Sequence, residues 1–453
     1  MILMPDEAIT EVELESAEAP AGSKRSVQQR GFGRLLRILG PGIVTGAADD
    51  DPSGIATYSQ AGAQFGLAMP WTMVFTYPLM MAVQEACMRV GAVTGKGLAA
   101  VIREHYPRYV LFPLVLLVVL ANTLNIGADL GAMAAAAQLL LPSIPFGLLA
   151  VVFAAVIIIL EVFLSYRTYV CVLKWLALSL LAYLVTAILV NVPWAEAVKA
   201  TFVPSVRWSP DYLYIFVGIL GTTVSPYLFF WQTSEVVEEE VAAHRLAQRG
   251  GAPRVSWQYL KQLRVDTALG MLFASVTGWF IIIVAAVVLH GSGVTNIESA
   301  ADAAKALEPL VQGLPYAGVI SKLVFAVGIV GIGLLAVPVL AGSSSYAISE
   351  TFKWREGLFR KYRQARQFYI VIILGTGAGL ALNFLGLHPI KALIFAAVFN
   401  GLAAVPLIFV IARIVNRRDV MGEYRGGIWS LTGLWTAFGV MLLAAGAMFY
   451  SLM

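Results

Sequence analysis

Gly46-Ala47-Ala48-Asp49-Asp50-Asp51-Pro52-Ser53-Gly54-Ile55-Ala56-Thr57-Tyr58-Ser59-Gln60 is the stretch on which the fold turns. It lies in an otherwise apolar run, about 36–64, that begins with Leu35-Leu36 and Ile38-Leu39. A single Asp at bilayer depth costs about 2.5–3.5 kcal/mol, so three in a row cannot face lipid. Pro52 removes a helical hydrogen bond and disfavours helical backbone at Asp51. Ser53-Gly54 loosens the next turn. The stretch therefore reads as a helix broken at membrane depth, with Asp51 and neighbouring carbonyls facing a water- or ion-filled cavity. Irregular backbone is tolerated at that depth only in such a place. A span that starts later, leaving the aspartates in a surface loop, fits the apolar start and the basic residues before it less well.

Composition agrees. Of the 453 residues, 59% are hydrophobic and 13% charged, against about 45–50% and about 25% in soluble domains. This excludes a soluble globular enzyme, a disordered chain and a fibre, and points to an all-α integral membrane protein. Two cysteines, Cys87 and Cys171, exclude a disulfide framework and a Cys-based zinc cage. No Walker loop, dinucleotide fingerprint, His–Cys cluster or nucleophile elbow stands in a suitable context. Neither an enzyme nor a resident cofactor is expected, and no nucleic-acid partner.

Runs long enough to span give eleven transmembrane helices, at about 36–64, 69–90, 109–141, 146–166, 169–192, 212–237, 266–290, 317–348, 367–386, 390–415 and 427–452. Residues 1–34 form a tail, acidic up to Glu18 and then basic from Lys24, without the apolar centre of a secretory signal. It is expected to be solvated and disordered. With the N-terminus cytoplasmic, every one of the 31 Lys and Arg except Lys199, Arg207, Lys305, Lys322 and Lys391 falls on the inside. The positive-inside rule is thus obeyed, with the C-terminus outside a plasma membrane.

The sixth span carries a second interruption, Gly218 and Gly221-Thr222-Thr223-Val224-Ser225-Pro226-Tyr227. Alone it reads equally as an ordinary proline kink. Paired with the first it means more. Span 1 runs inside to outside and span 6 outside to inside, so spans 1–5 (about 35–192) and 6–10 (about 212–415) form inverted repeats, followed by an extra helix (about 427–452). Breaks at matching positions of inverted repeats mark a transporter site.

At these residues the chain resembles the Nramp family of divalent-metal transporters. The family's Asp-Pro-Gly-Asn is similar to Asp51-Pro52-Ser53-Gly54, and its Met-Pro-His to Ser225-Pro226-Tyr227. Asn125-Ile126-Gly127-Ala128-Asp129-Leu130 is similar to its third-helix Asp-Leu-Ala-Glu region, and Asn416-Arg417-Arg418-Asp419-Val420-Met421-Gly422 to its Arg-Arg-Asp-Ile-Met-Gly. The stretch from Leu307 to Glu350 also looks alike, and the resemblance covers most of residues 35–450. It implies the LeuT fold, with broken helices 1 and 6.

The resemblance also implies a ligand set. Carried over by position, the metal site comprises Asp51, Gly54 in place of Asn, Ser225 in place of Met, and the carbonyls of Ala48 and Thr222. A thioether favours transition metals. A hydroxyl in its place leaves an oxygen-only site, wider by two lost ligands and suited to hard cations such as partly hydrated Mg²⁺, Mn²⁺ or Ca²⁺. This is similar to the Nramp-related magnesium transporters that lack the methionine. Tyr227 replaces the family's helix-6 His and Ala132 its helix-3 Glu, while His105, His244, His290 and His388 fall in loops or at span ends. Weak or absent proton coupling is expected, with Asp49, Asp50 and Asp129 as the remaining candidate carriers.

Other polar residues have two readings. Asn122, Asn125 and Asp129 share one face of span 3, and either line the path and support Asp51 or hold helices together. Glu85, Glu161 and Asp266 favour ion pairs with Arg89, Arg167 or Arg264 over an inner vestibule. Gln232, beyond the Thr223–Pro226 break, favours a packing contact over the inner path. Glu235, Glu238, Glu239 and Glu240 favour a solvated helix end over a cation-attracting mouth. Gly328, Gly331, Gly333, Gly375, Gly377 and Gly379 are expected to permit close packing.

The function expected is a secondary transporter or facilitator that moves Mg²⁺ or Mn²⁺ by alternating access, as a monomer whose partners are the cation and the bilayer. An ion-coupled symporter of a small organic solute on the same fold is the alternative, and a membrane enzyme a remote third.

Overall fold

The computed structural model describes residues 45–46, 48–163, 181–243, 245–246, 251, 253, 255–311 and 316–453, with 310 and 311 as backbone only. The tail 1–34, residues 36–44 and 169–180 of the first and fifth spans, Arg167, Lys174, Arg249, Arg254 and His244 lie outside the described residues.

Every regular element described is helical. The first half holds α1 (Pro52–Phe65), α2 (Trp71–Thr94), α3 (Leu98–His105), α4 (Arg108–Gln138), α5 (Phe146–Phe163), α6 (Leu181–Leu189) and α7 (Trp194–Phe202). Then come α8 (Pro210–Thr223), α9 (Pro226–Ala242), α10 (Trp257–Val288), α11 (Ala300–Lys305), α12 (Ala317–Phe352), α13 (Arg366–Leu382), α14 (Pro389–Asn416), α15 (Arg418–Met421) and α16 (Ile428–Ser451). Among the described residues eight segments are long and apolar enough to cross a membrane: α4, α5, α8 with α9, α10, α12, α13, α14 and α16. The other three runs read from the sequence fall on α1, α2 and α6. α1 and α6 have 14 and 9 described residues, and the 24 residues of α2 include buried Glu85 and Arg89.

Local chemistry sets the ends. Pro210 opens α8 behind the Ser209 cap, whose hydroxyl accepts from the Tyr212 amide, and Ser256 caps α10 in the same way. α2 stops at Gly95, φ 62°, where the left-handed backbone that ends many helices needs a residue without Cβ. His105 ends α3, His290 follows α10 and His388 caps α14, so these three stand at helix ends as expected.

Lipid offers no hydrophobic force between helices, so close backbone approach and interhelical hydrogen bonds hold the bundle. α4 is central and packs on α12, α14, α13 and α5; α1 lies on α10, α14 and α8; α9 lies on α2 and α12. A Cβ on Gly221 of α8 would sit 2.0 Å from the Ala397 carbonyl oxygen of α14, and one on Gly62 of α1 2.2 Å from the Ile282 carbonyl oxygen of α10. A methyl at either place must push two helices apart. Gly333 and Gly379 press against Met133 and Ile126 as expected, but Gly375 and Gly377 have nothing within 4 Å. The packing role assigned to those two is corrected: on α13 they point away from the neighbouring helices.

Polar ties cross between elements as well. The Glu85 carboxylate of α2 accepts from Arg89, from Arg264 of α10 at 2.8 Å and from Ser430 of α16 at 3.0 Å. Gln60 of α1 accepts from the Ile297 amide at 2.9 Å and donates to the Thr295 carbonyl at 3.3 Å, which fixes the segment between α10 and α11.

Candidate cation site

The chain is helical at Ala48 and Asp49, bends at Asp50, and resumes as α1 at Pro52. Asp51 has φ −61° and ψ 171°, the extended backbone that a following proline imposes. Pro52 has no N–H to offer the Ala48 carbonyl four residues back. The Tyr227 hydroxyl takes over and donates to that oxygen at 2.8 Å. The second interruption repeats the device. α8 ends at Thr223 and α9 starts at Pro226, which cannot bond to the Thr222 carbonyl. The Ser225 hydroxyl donates to that carbonyl at 2.8 Å and to Gly221 at 3.0 Å.

The two interruptions meet. A Cβ on Gly54 would lie 2.9 Å from Thr222 Oγ1 and 3.5 Å from the Tyr58 ring. Asp51 is buried and caps α1: its Oδ1 accepts from the Ser53 hydroxyl at 2.6 Å and the Gly54 amide at 2.7 Å, and its Oδ2 accepts from Asn125 at 2.8 Å. Three donors fix the carboxylate: Oδ1 takes two of them, and Oδ2, with one, keeps a lone pair for a further partner. Thr222 Oγ1 is fully buried beside the Tyr58 hydroxyl.

Asp49, Asp50 and Asp129 are likewise buried, and the oxygens of Asp49 and Asp50 are not hydrogen-bonded. Asp129 stands beside Asp51 and the Ser53 amide, and Tyr58 and Tyr227 lie among the three consecutive aspartates. Among the described residues no Lys or Arg pairs with this group. Nor do three His, Cys, Asp or Glu side chains converge as a metal cage among them. What converges is one oriented carboxylate with hydroxyl and carbonyl oxygens, a hard donor set.

Of the pathway candidates, Asn125 holds Asp51, whereas Asn122 donates to the Leu340 carbonyl at 3.1 Å and to Ser344 at 2.9 Å, tying α4 to α12. Thr223 bonds back to Ile219 within its own helix and does not reach the site. Ser343 anchors the Tyr227 carbonyl at 2.8 Å. Gln232 is buried with its amide oxygen unpartnered. One expectation is corrected. Glu235 and Glu240 are buried rather than solvated, because they face into the bundle from the last turns of α9. Among the described residues both oxygens of Glu161 are buried and unpartnered, and Arg167, its expected partner, lies outside them. Asn400 of α14 escaped the sequence reading. It is fully buried with an unpartnered amide, next to Gly401, whose nitrogen is 2.4 Å from a Cβ position on Gly221. A lone amide within the apolar run about 390–415 was the signal for it.

Known proteins are similar to this chain in sequence and in fold. The chain is 29% identical over 429 residues to divalent metal cation transporter MntH 1 of Pseudomonas aeruginosa, spanning 92% of both proteins. A match of 29% over 309 residues to MntH of Brucella suis spans 67% of this chain and 64% of that one. Among solved structures, the manganese transporter of Eremococcus coleocola superposes with a TM-score of 0.67 at 19% identity, over 95% of this chain and 88% of that one. Residues 42–451 match the description natural resistance-associated macrophage protein-like, and the chain belongs to the Nramp family.

Proposed function

We propose that the chain moves a hard divalent cation, Mn²⁺ or Mg²⁺, across the plasma membrane by alternating access, with the ion held by Asp51, Ser225, Thr222 and the Ala48 carbonyl, and with weak or no proton coupling. The observation that carries this reading is the meeting of two proline-made helix ends around one oriented carboxylate, with oxygen as the donor type. The relatives' descriptions as divalent metal cation and manganese transporters support a divalent metal as cargo. Gly54, where the family pattern has Asn, leaves room for a cation that keeps some of its water. Tyr227 is engaged with a carbonyl rather than offering a titratable imidazole, which supports uncoupled movement. α1, α2 and α6 complete eleven spans with the eight apolar segments, arranged as inverted repeats with the N-terminus inside. The chain is a carrier of the ion rather than an enzyme that uses it.

Uptake of Mn²⁺ and Mg²⁺ into proteoliposomes, with and without a pH gradient, tests the proposal. Wild-type protein should take up both ions without acidifying the lumen. Asp51→Ala should lower uptake at least ~100-fold, because even side chains that only support a metal ligand are worth about 10–100-fold. Unchanged uptake in that variant overturns the reading.

A further inference from the structure

The chain from Lys353 to Arg366 connects α12 to α13, two segments long and apolar enough to cross a membrane. A short connection between two such helices lies where hydrocarbon gives way to headgroups and water. This one holds six cations, Lys353, Arg355, Arg360, Lys361, Arg363 and Arg366, against one carboxylate, Glu356. All of the six except Arg360 are exposed. Among the described residues none of them forms an ion pair. Aromatic side chains stand among them: Phe352 is 52% exposed, Phe359 46%, Tyr362 38% and Trp354 37%. The Phe352 and Trp354 rings stack on each other.

The segment is held by its backbone. α12 ends at Lys353, φ 59°, and the Trp354 amide donates back to the Ser349 carbonyl at 2.8 Å. The Leu358 amide donates to Glu238 of α9 at 2.8 Å and to the Tyr346 hydroxyl of α12 at 3.2 Å. The Tyr369 hydroxyl of α13 donates to the Arg360 carbonyl at 2.7 Å. Three helices thus fix the course of the segment, and its charged side chains take no part in that. Arg360, Lys361 and Arg363 also border a cavity, but Glu235, Glu238 and Glu239 stand in its walls as well. The excess of positive charge therefore belongs to the exposed face of the segment rather than to the cavity.

We propose that this face binds the headgroups of acidic phospholipids in the leaflet that it borders. Basic residues beside a membrane helix are drawn to an acidic leaflet, and aromatic rings settle at headgroup level. A free anion in water would meet the cations but gain nothing from the rings. The proposal rests on the membrane reading above, in whose orientation the leaflet is the cytoplasmic one. Lipid held here joins a segment already tied to α9, α12 and α13, so it should stabilise the fold.

Melting of the full-length purified protein in detergent, titrated with dioctanoyl phosphatidylglycerol, tests this. The wild type should melt several degrees higher with that lipid, as with any ligand that binds the folded state. Dioctanoyl phosphatidylcholine and inorganic phosphate should give no such rise. Salt at about 1 M, which screens charges beyond about 3 Å, should abolish it. Arg355→Gln, Lys361→Gln and Arg363→Gln together should melt like the wild type without lipid, since these side chains have no ion pair to lose. That variant should need about 100-fold more phosphatidylglycerol for the same rise, each Lys or Arg near an acidic surface adding about five-fold. Lys199→Gln, Arg207→Gln and Lys391→Gln remove as much charge from the opposite membrane face and should leave the response intact. An equal rise with phosphatidylcholine, an undiminished response in the first variant or a lost one in the second overturns the lipid site. An equal rise with phosphate overturns it in favour of a free anion. Where the first variant does not fold, the lipid, phosphate and salt comparisons on the wild type decide. None of these measurements involves cation uptake, so this site and the transport reading can fail separately.

Discussion

The two interruptions use the same residue for opposite ends. Each places proline four residues after a carbonyl, at Pro52 for Ala48 and Pro226 for Thr222, so each frees one backbone oxygen at membrane depth. The residue ahead of the proline sets them apart. The first interruption puts a charged side chain at the start of the next helix: Asp51 accepts from Ser53, Gly54 and Asn125. The second puts a hydroxyl there, and Ser225 points backward onto the Gly221 and Thr222 carbonyls instead of capping α9. One interruption thus contributes the charge and the other only oxygen dipoles. The lesson is that a helix break by itself supplies weak ligands, and the residue before the proline decides whether the break becomes the main binding group.

Changing either side of this contrast should have graded effects. The largest comes from closing the second break. Pro226→Ala returns an N–H for the Thr222 carbonyl, a backbone hydrogen bond worth about 1 kcal/mol that would join α8 to α9. Its melting temperature should rise while ion uptake falls to background; uptake at the wild-type rate would show that the break is not needed. Next is the support of the charged side. Asn125→Ala leaves Asp51 in place but free to turn, and Mn²⁺ affinity should drop about 10–100-fold. The two breaks can also be made chemically unlike. Ser225→Met adds a soft ligand to the weak side, so the ratio of Cd²⁺ to Mg²⁺ uptake should rise at least ~10-fold, the direction that thioether preference dictates. The smallest effect belongs to the link between them. Tyr227→Phe removes one buried hydrogen bond to Ala48, worth about 1 kcal/mol, and should change uptake only a few-fold, with a slightly lower melting temperature.

Most of this contrast was legible because a bilayer penalises anything polar. Asp51 and Ser225 stood out against apolar runs, and the prolines beside them announced where the backbone would open. The polar face of α4 was readable as well, but not what each member of it touches. Asn125 reaches Asp51 across 74 positions of sequence while Asn122 turns to α12, a division made by helix packing rather than by spacing. Glu161 has Arg167 close to it in sequence, a residue outside those described, while its carboxylate is directed at Gly342 on α12, a neighbour that spacing along the chain does not reveal. The run Glu238-Glu239-Glu240 suggested solvent, but one helical turn presents its residues to different surroundings: Glu239 is exposed and Glu240 is not.

The Gln60 amide engages the segment between α10 and α11 through its donor and its acceptor together. One side chain thus clasps the segment at two backbone positions, and lifting it from α1 must give up both hydrogen bonds. The clasp is a neutral amide, so it ties the segment down without adding charge to that end of α1.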